Sequence, residues 1–244
     1  METIAERSRL ADRVLSLLER VEYRRADTRE DKAAIFRMRY EAYTRAGTIE
    51  ARSSGLFDDP FDEAPNVWLI GVFLDGELAS SLRLHISASV NVPLPAMVVY
   101  PDILTLHLQA GRMIIDPSRF AVRLEYSQEY PEMPYITLRP AFLAEAFFDA
   151  DFISVACRVE HQAFYRRIFG CVPWAAPREY PNFNRPMALL GYDCKARRSA
   201  LHTRYPFYQS GAAEQTRLFE RSSKLADGAR EAIHGAAADA LSRL

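Results

Sequence analysis

Asp116 and Arg119 stand three residues apart in Gly111-Arg-Met-Ile-Ile-Asp-Pro-Ser-Arg-Phe-Ala-Val122, where an apolar, strand-like run breaks into an acid, a proline and an Arg-Phe pair. A carboxylate and a guanidinium at a strand end are costly to bury unless each is neutralised, so the pair reads as either a structural ion pair or a site. Another arginine lies upstream. Between about 77 and 87, Leu78, Leu82, Leu84 and Ile86 fall on one strand face and Ala79, Ser81, Arg83 and His85 on the other. A face of small and polar residues carrying one arginine suits either the wall of a cleft or the wet side of an antiparallel sheet.

The elements that must position these residues follow from periodicity and turn chemistry. Leu10, Val14, Leu17, Leu18 and Val21 mark an amphipathic helix over about 3–21. A short strand at 22–26 precedes a helix opened by Thr28, with Asp31 three residues on, that runs through Ile35, Phe36, Tyr40 and Tyr43. Residues 47–65, rich in Gly, Ser, Pro and acids, read as a functional loop. Asp75-Gly76 is a hairpin turn between strands at 66–74 and 77–87. Residues 88–110 read as irregular with a short helix near 100–107, followed by a strand over 111–116 and a Pro-containing loop. The remainder reads as a helix near 138–149, a strand at 151–158, a helix at 160–169 closed by Gly170, strands at 171–176 and 186–192, and helices over 195–206 and 212–242. The segmentation is an N-terminal amphipathic helix (1–21), an α+β domain with a mixed sheet (22–193) and a C-terminal helical appendage (194–244).

Composition excludes several classes. With 31 Lys and Arg against 32 Asp and Glu, the net charge of −1 argues against nucleic-acid binding by bulk electrostatics. Cys157, Cys171 and Cys194 lack metal-ligand or redox spacing, and the five histidines form no HxxH or HExxH pair, so no metal is expected. The thiols read as bland, in a reducing compartment. No apolar stretch is long enough to span a bilayer and the N-terminus carries charges throughout, so a cytoplasmic protein is expected.

The order of elements resembles the GNAT acyltransferase fold, and His161-Gln-Ala-Phe-Tyr165-Arg-Arg-Ile-Phe169-Gly170 is similar to its late helix. Asp116-Pro-Ser-Arg119-Phe120 resembles the acid-x-Ser-Arg-Phe segment of acyl-homoserine-lactone (autoinducer) synthases. Arg39 with Tyr43 resembles their Arg with an aromatic four residues on, Asp59 with Asp62 their acidic pair, and Arg83 their strand arginine. The layout of Arg37-Met-Arg39-Tyr-Glu-Ala-Tyr43 and Leu82-Arg83-Leu84 looks closest to the related N-acyl amino acid synthases. Asp116 stands where the autoinducer synthases carry Glu, and Ile49 where they carry tryptophan, which bears against a lactone product.

The resemblance implies a GNAT-like domain over about 22–193, with extra terminal helices, that moves a fatty acyl chain from acyl carrier protein to the amine of an amino acid. An autoinducer synthase and a non-catalytic acyl- or carrier-binding module are the alternatives. Asp116 is then the group that attracts or deprotonates the acceptor ammonium, or else a strut paired to Arg119 or Arg83. Tyr165 either protonates the leaving thiolate or only packs. Arg39, Tyr43, Arg83, Arg119 and Phe120 bind substrate, with Asp59 and Asp62 ordering the arginines. Strand N–H groups near Met113 to Ile115 would polarise the thioester carbonyl. Phe142, Phe147 and Phe152 line an acyl tunnel or simply fill the core. After Val122 there is no Gln/Arg-x-x-Gly-x-Gly/Ala run to cradle a CoA pyrophosphate. The expected donor is therefore acyl-phosphopantetheine on acyl carrier protein, with acyl-CoA second and no permanently bound cofactor. Carrier proteins are acidic, so Arg123, Arg139, Arg158, Arg166 and Arg167 are candidates for docking.

Overall fold

A computed structural model describes residues 4–221 apart from 182 and 184. Seven strands form one sheet in the order β1 (Val21–Arg25), β2 (Val67–Leu74), β3 (Glu77–Ser87), β4 (Ile114–Val122), β5 (Phe152–Arg158), β7 (Met187–Asp193) and β6 (Val172–Arg178). Every neighbouring pair is antiparallel except β4 and β5, which run parallel and pair only at Ile114–Phe152 and Ile115–Ile153. Beyond Ile115 the two strands part. That gap is the origin of the site.

Helices cover both faces. On one side lie α1 (Ile4–Leu18), α5 (Met133–Phe148), α6 (Gln162–Phe169), α7 (Cys194–Arg204) and α8 (Ala212–Phe219). Leu10, Val14 and Leu17 of α1 share a single apolar cluster with Leu82 and Leu84 of β3, Ile136 and Leu143 of α5, and Leu201, Phe207 and Phe219 downstream. Burying each such side chain contributes about 1.5–3 kcal/mol, enough to dock a helix that would be marginal alone. On the other side lie α2 (Arg29–Arg45), which buries Ile35, Phe36 and Met38 against Leu69 and Leu78, and α3 (Pro101–Gln109). A six-residue helix, α4 (Leu124–Glu129), follows β4.

Local chemistry explains much of this. Thr28 caps α2 by accepting from the Asp31 N–H at 3.1 Å. The β2–β3 hairpin turns at Asp75 and Gly76, both at positive φ (51° and 87°), as a tight two-residue turn demands. Gly170 ends α6 in the left-handed region at φ 70°.

Four expectations need correction. First, β4 does not stop at Asp116 but continues through Pro117 to Val122. A proline is tolerated because β5 has already left, so the missing N–H can face the gap. Second, Leu78 faces α2 rather than sharing a face with Leu82, because a bulge opposite Val72/Phe73 inserts Ala79 into the strand. Third, the Pro-containing loop holds α4, and the helix after it begins at Met133 rather than near 138. Pro134 sits in the first turn of that helix, where an N–H is not needed. Fourth, α8 ends at Phe219, with Glu220 extended and Arg221 outside any helix; residues 222–242 of the expected 212–242 helix lie outside the described residues. Among the described residues, no helix is long and apolar enough to cross a membrane.

Candidate active site

Where β4 and β5 separate, a cleft of about 740 Å³ runs between β4, β5, α5 and α6. Its two ends differ in chemistry. Arg83, Asp116, Ser118, Arg119, Tyr43 and Tyr180 line the polar end, and Met133, Leu138, Phe142, Ile153, Cys157 and Phe169 the apolar one. Of the three phenylalanines weighed for a tunnel, Phe142 lines the cleft. Phe147 packs on Phe148 and Phe219, and Phe152 on His107 and Trp174, so both are core.

Asp116 is wholly buried. Its Oδ1 accepts from the Ser154 hydroxyl at 2.9 Å and its Oδ2 from the Ala96 N–H at 2.8 Å, at the start of a 3₁₀ turn over Pro95–Val98. Among the described residues no cation lies within ion-pair distance of it. Burial therefore dominates and pushes its pKa up to about 6, against the opposing pull of the Ala96 N–H, Ser154 and the field of Arg83. Asp116 thus forms no ion pair with Arg119 or Arg83.

Both arginines pair instead with Asp59. Its Oδ1 accepts from Arg83 Nη1 at 2.7 Å and its Oδ2 from Arg119 Nε at 3.0 Å. Strand alternation would send Arg119 to the face opposite Ser118, but β4 bulges between its Ser118 and Ala121 pairings. Arg119 sits there at φ 53° and so reaches Asp59. Its guanidinium lies over the Phe57 ring at 4.8 Å and the Phe183 ring at 5.1 Å. The Tyr43 hydroxyl steadies the bulge by donating to the Phe120 carbonyl at 3.0 Å.

Asp59 and Asp62 form a capping box around a 3₁₀ turn at Pro60–Glu63, so the local backbone aims both carboxylates at the sheet. Asp62 accepts from Arg39 Nη1 at 2.8 Å and lies 3.1 Å from Arg83 Nη1. Burial opposes ionisation of both acids, yet the arginines outweigh it and hold both pKa values below the usual carboxylate range. His85 donates from Nε2 to the Phe61 carbonyl at 2.9 Å and, desolvated beside Arg83, stays neutral with a pKa near 3. Three guanidiniums thus meet two carboxylates in a dry cluster, leaving one positive charge in excess beside Asp116.

Several expected site residues sit elsewhere. Arg39 is fully buried behind Asp62 and does not line the cleft, so it orders Asp62 rather than touching a substrate. Arg139 is also buried: its guanidinium binds the Glu214 carboxylate and the carbonyls of Phe207 and Gln209, tying α5 to the C-terminal segment and removing it from any docking patch. Arg158 and His161 line the cleft, Arg166 and Arg167 are exposed on α6, and Arg123 is part-exposed with Glu125 3.9 Å away. The N–H groups of Ile114 and Ile115 lie between strands on both sides, and that of Met113 donates to Asp151, so the free edge of β4 begins only past Ile115. Tyr165 lines the cleft from α6, and burial raises its pKa, keeping the phenol protonated.

Ser154, Ala96, Tyr180 and Phe183 join the site from outside the candidates that residue type and spacing mark. Ser154 carries a signal, being a lone hydroxyl in the apolar run Phe152-Ile-Ser-Val-Ala. The others lie in irregular, proline-bearing segments without periodicity.

No curated protein matches the sequence. Among solved structures, FeeM, an N-acyl amino acid synthase from uncultured soil microbes, aligns with a TM-score of 0.63 at 18% identity, over 74% of this chain and 94% of that one. MesI, a CoA-dependent acyl-homoserine lactone synthase, aligns at 0.53 and 20% identity, over 79% and 97%. BjaI, another CoA-dependent acyl-homoserine lactone synthase, aligns at 0.54 and 16%, over 77% and 88%. At these identities the likeness shows the fold, an α+β acyltransferase architecture. The family model described as N-acyl amino acid synthase FeeM matches residues 34–193, well over half of the chain and all of the cleft's strands. The chain is an N-acyltransferase belonging to the FeeM N-acyl amino acid synthase family.

Proposed function

We propose that the protein transfers a medium or long fatty acyl group from the phosphopantetheine thioester of acyl carrier protein to the amine of an amino acid, releasing an N-acyl amino acid. The observation that carries this reading is one continuous cleft with a dry, charged end at Asp116, Arg83 and Arg119 and an apolar end bounded by Leu138, Phe142 and Phe169. The acceptor carboxylate complements the excess guanidinium charge, with Arg83 and Arg119 as its partners and Phe120 and Tyr43 shaping the wall. Its ammonium then faces Asp116, which is ionised above about pH 6 and takes the amine proton directly or through water. The amine nitrogen attacks the thioester carbon; the C–N bond forms, the C–S bond breaks, and the sulfur leaves with a proton. Tyr165, whose phenol stays protonated, donates a hydrogen bond to that sulfur while the proton released by the amine neutralises it. The unpaired edge of β4 past Ile115 offers backbone N–H groups to the carbonyl oxygen.

A carrier-bound donor fits the far side of β4. The segment after Val122 forms α4 without a glycine and with Glu125 in its first turn, a poor seat for a pyrophosphate. Around the mouth, Arg158 and Arg185 line the cleft, with Arg166 and Arg167 on the adjoining helix, a cationic surface for an acidic carrier. Incubating the protein with carrier protein loaded with acyl chains of several lengths and a mixture of amino acids tests this, with products read by mass spectrometry. N-acyl amino acids are expected. Acyl-homoserine lactones formed with S-adenosylmethionine, or turnover equally fast on acyl-CoA, would overturn the acceptor or the donor assignment respectively.

A further inference from the structure

Tyr180 lies in the connection between β6 and β7 and lines the polar end of the cleft. Its hydroxyl donates to the Pro95 carbonyl at 3.1 Å. The N–H of the same peptide unit, on Ala96, donates to Asp116 Oδ2 at 2.8 Å. One planar amide therefore joins the tyrosine to the carboxylate: a bond accepted at its oxygen polarises it and strengthens the bond donated at its nitrogen. The same bond fixes the 3₁₀ turn against rotation, so the Ala96 N–H keeps its aim.

We propose that Tyr180 is a positioning residue for acyl transfer, acting through the Pro95–Ala96 peptide to hold the donor that favours the ionised form of Asp116. The inference rests on the reading of Asp116 as the group that ionises in the reaction. The other groups around Asp116 are accounted for. Ser154 of β5 donates to its other oxygen, and Arg83 of β3 adds its field from behind the Asp59 pair. His85, its cross-strand partner, is neutral, and Arg119 is turned to Asp59. Tyr180 itself stays protonated, with burial as the leading cause and its pKa raised to about 12. It acts as a donor throughout the working range. Phe183, whose N–H bonds the Tyr180 carbonyl at 3.1 Å, covers Arg119, so this connection steadies both charged halves of the polar end.

The test is a titration of aspartate carboxyl carbons by NMR in the ¹³C-labelled full-length protein, with the Asp116 signal assigned by its loss in Asp116→Asn. Tyr180→Phe keeps the ring and removes only the hydroxyl. The expected result is a rise of about half a pH unit in the Asp116 midpoint, with the ascending limb of kcat/KM moving the same way. An unmoved Asp116 midpoint in folded Tyr180→Phe overturns the inference, whatever happens to the rate, because a purely structural tyrosine would lower activity without shifting the titration. Retention of full acyl transfer by Asp116→Asn would instead overturn the underlying assignment of Asp116.

Discussion

Two carboxylates, one half-buried and one wholly buried, face the same sheet and have opposite fates. Asp59 is clasped by Arg83 and Arg119 and stays ionised well below neutral pH. Asp116, on the strand beside Arg83, receives one backbone N–H and one hydroxyl but no cation, and burial lifts its pKa to about 6. The difference is made by the β4 bulge, which brings Arg119 round to Asp59, already paired to Arg83, and leaves Asp116 without a cation. A carboxylate with two cations is a strut; one that is dry, uncompensated and open to a cleft is poised to exchange a proton.

The comparison breaks most sharply at Asp116. Asp116→Asn should lower kcat by about 10²–10⁴-fold while the protein remains folded, as steady-state kinetics beside circular dichroism would show. Next in size, Asp62→Ala strands Arg39, whose Nη1 bonds Asp62 and whose Nε and Nη2 have no hydrogen-bond partner among the described residues, and should cost about 3–5 kcal/mol in denaturant unfolding. Loss of less than about 1 kcal/mol would mean that solvent reaches Arg39.

Linkage separates the two acids by sign. The folded pKa of Asp116 lies above its unfolded value, so its contribution favours the fold below about pH 4. That contribution falls away as pH rises to about 6, by roughly 3 kcal/mol in all. Asp59 has a depressed pKa, so it stabilises above about pH 4 and loses that support as pH falls further. Unfolding at pH 4.5 and 7 should therefore show Asp116→Asn gaining on the wild type as pH rises, and Asp59→Asn failing to gain. The smallest effect is expected at the mouth. Replacing Arg166 and Arg167 with alanine should raise KM for acyl-carrier protein about 3- to 10-fold, with the gap narrowing at high salt, and leave KM for acyl-pantetheine alone.

Much of the scaffold was legible because local rules decide it: the Thr28 cap, the Asp75-Gly76 turn, the α1 stripe and the Gly170 stop all stand where spacing and turn chemistry put them. The site was legible by residue type but not by partner. Nothing local in Asp116-Pro-Ser-Arg119 reveals that a bulge rotates Arg119 through a left-handed φ, or that Pro117 stays in a strand because its neighbour has departed. Arg39 and Arg139 look alike as sequence; tertiary burial alone assigns the first to Asp62 and the second to Glu214. Ala96 enters the site through its backbone, which no residue type can announce.

The claim that Asp116 is the proton-exchanging carboxylate and Asp59 its inert counterpart is tested most directly by the pH dependence of kcat/KM for the acyl donor, measured from pH 5 to 8 in wild type, Asp116→Asn and Asp59→Asn. The wild type should show an ascending limb with a midpoint near 6. That limb should be missing from the residual activity of Asp116→Asn and present, at reduced height, in Asp59→Asn. The same limb surviving in Asp116→Asn would contradict the account.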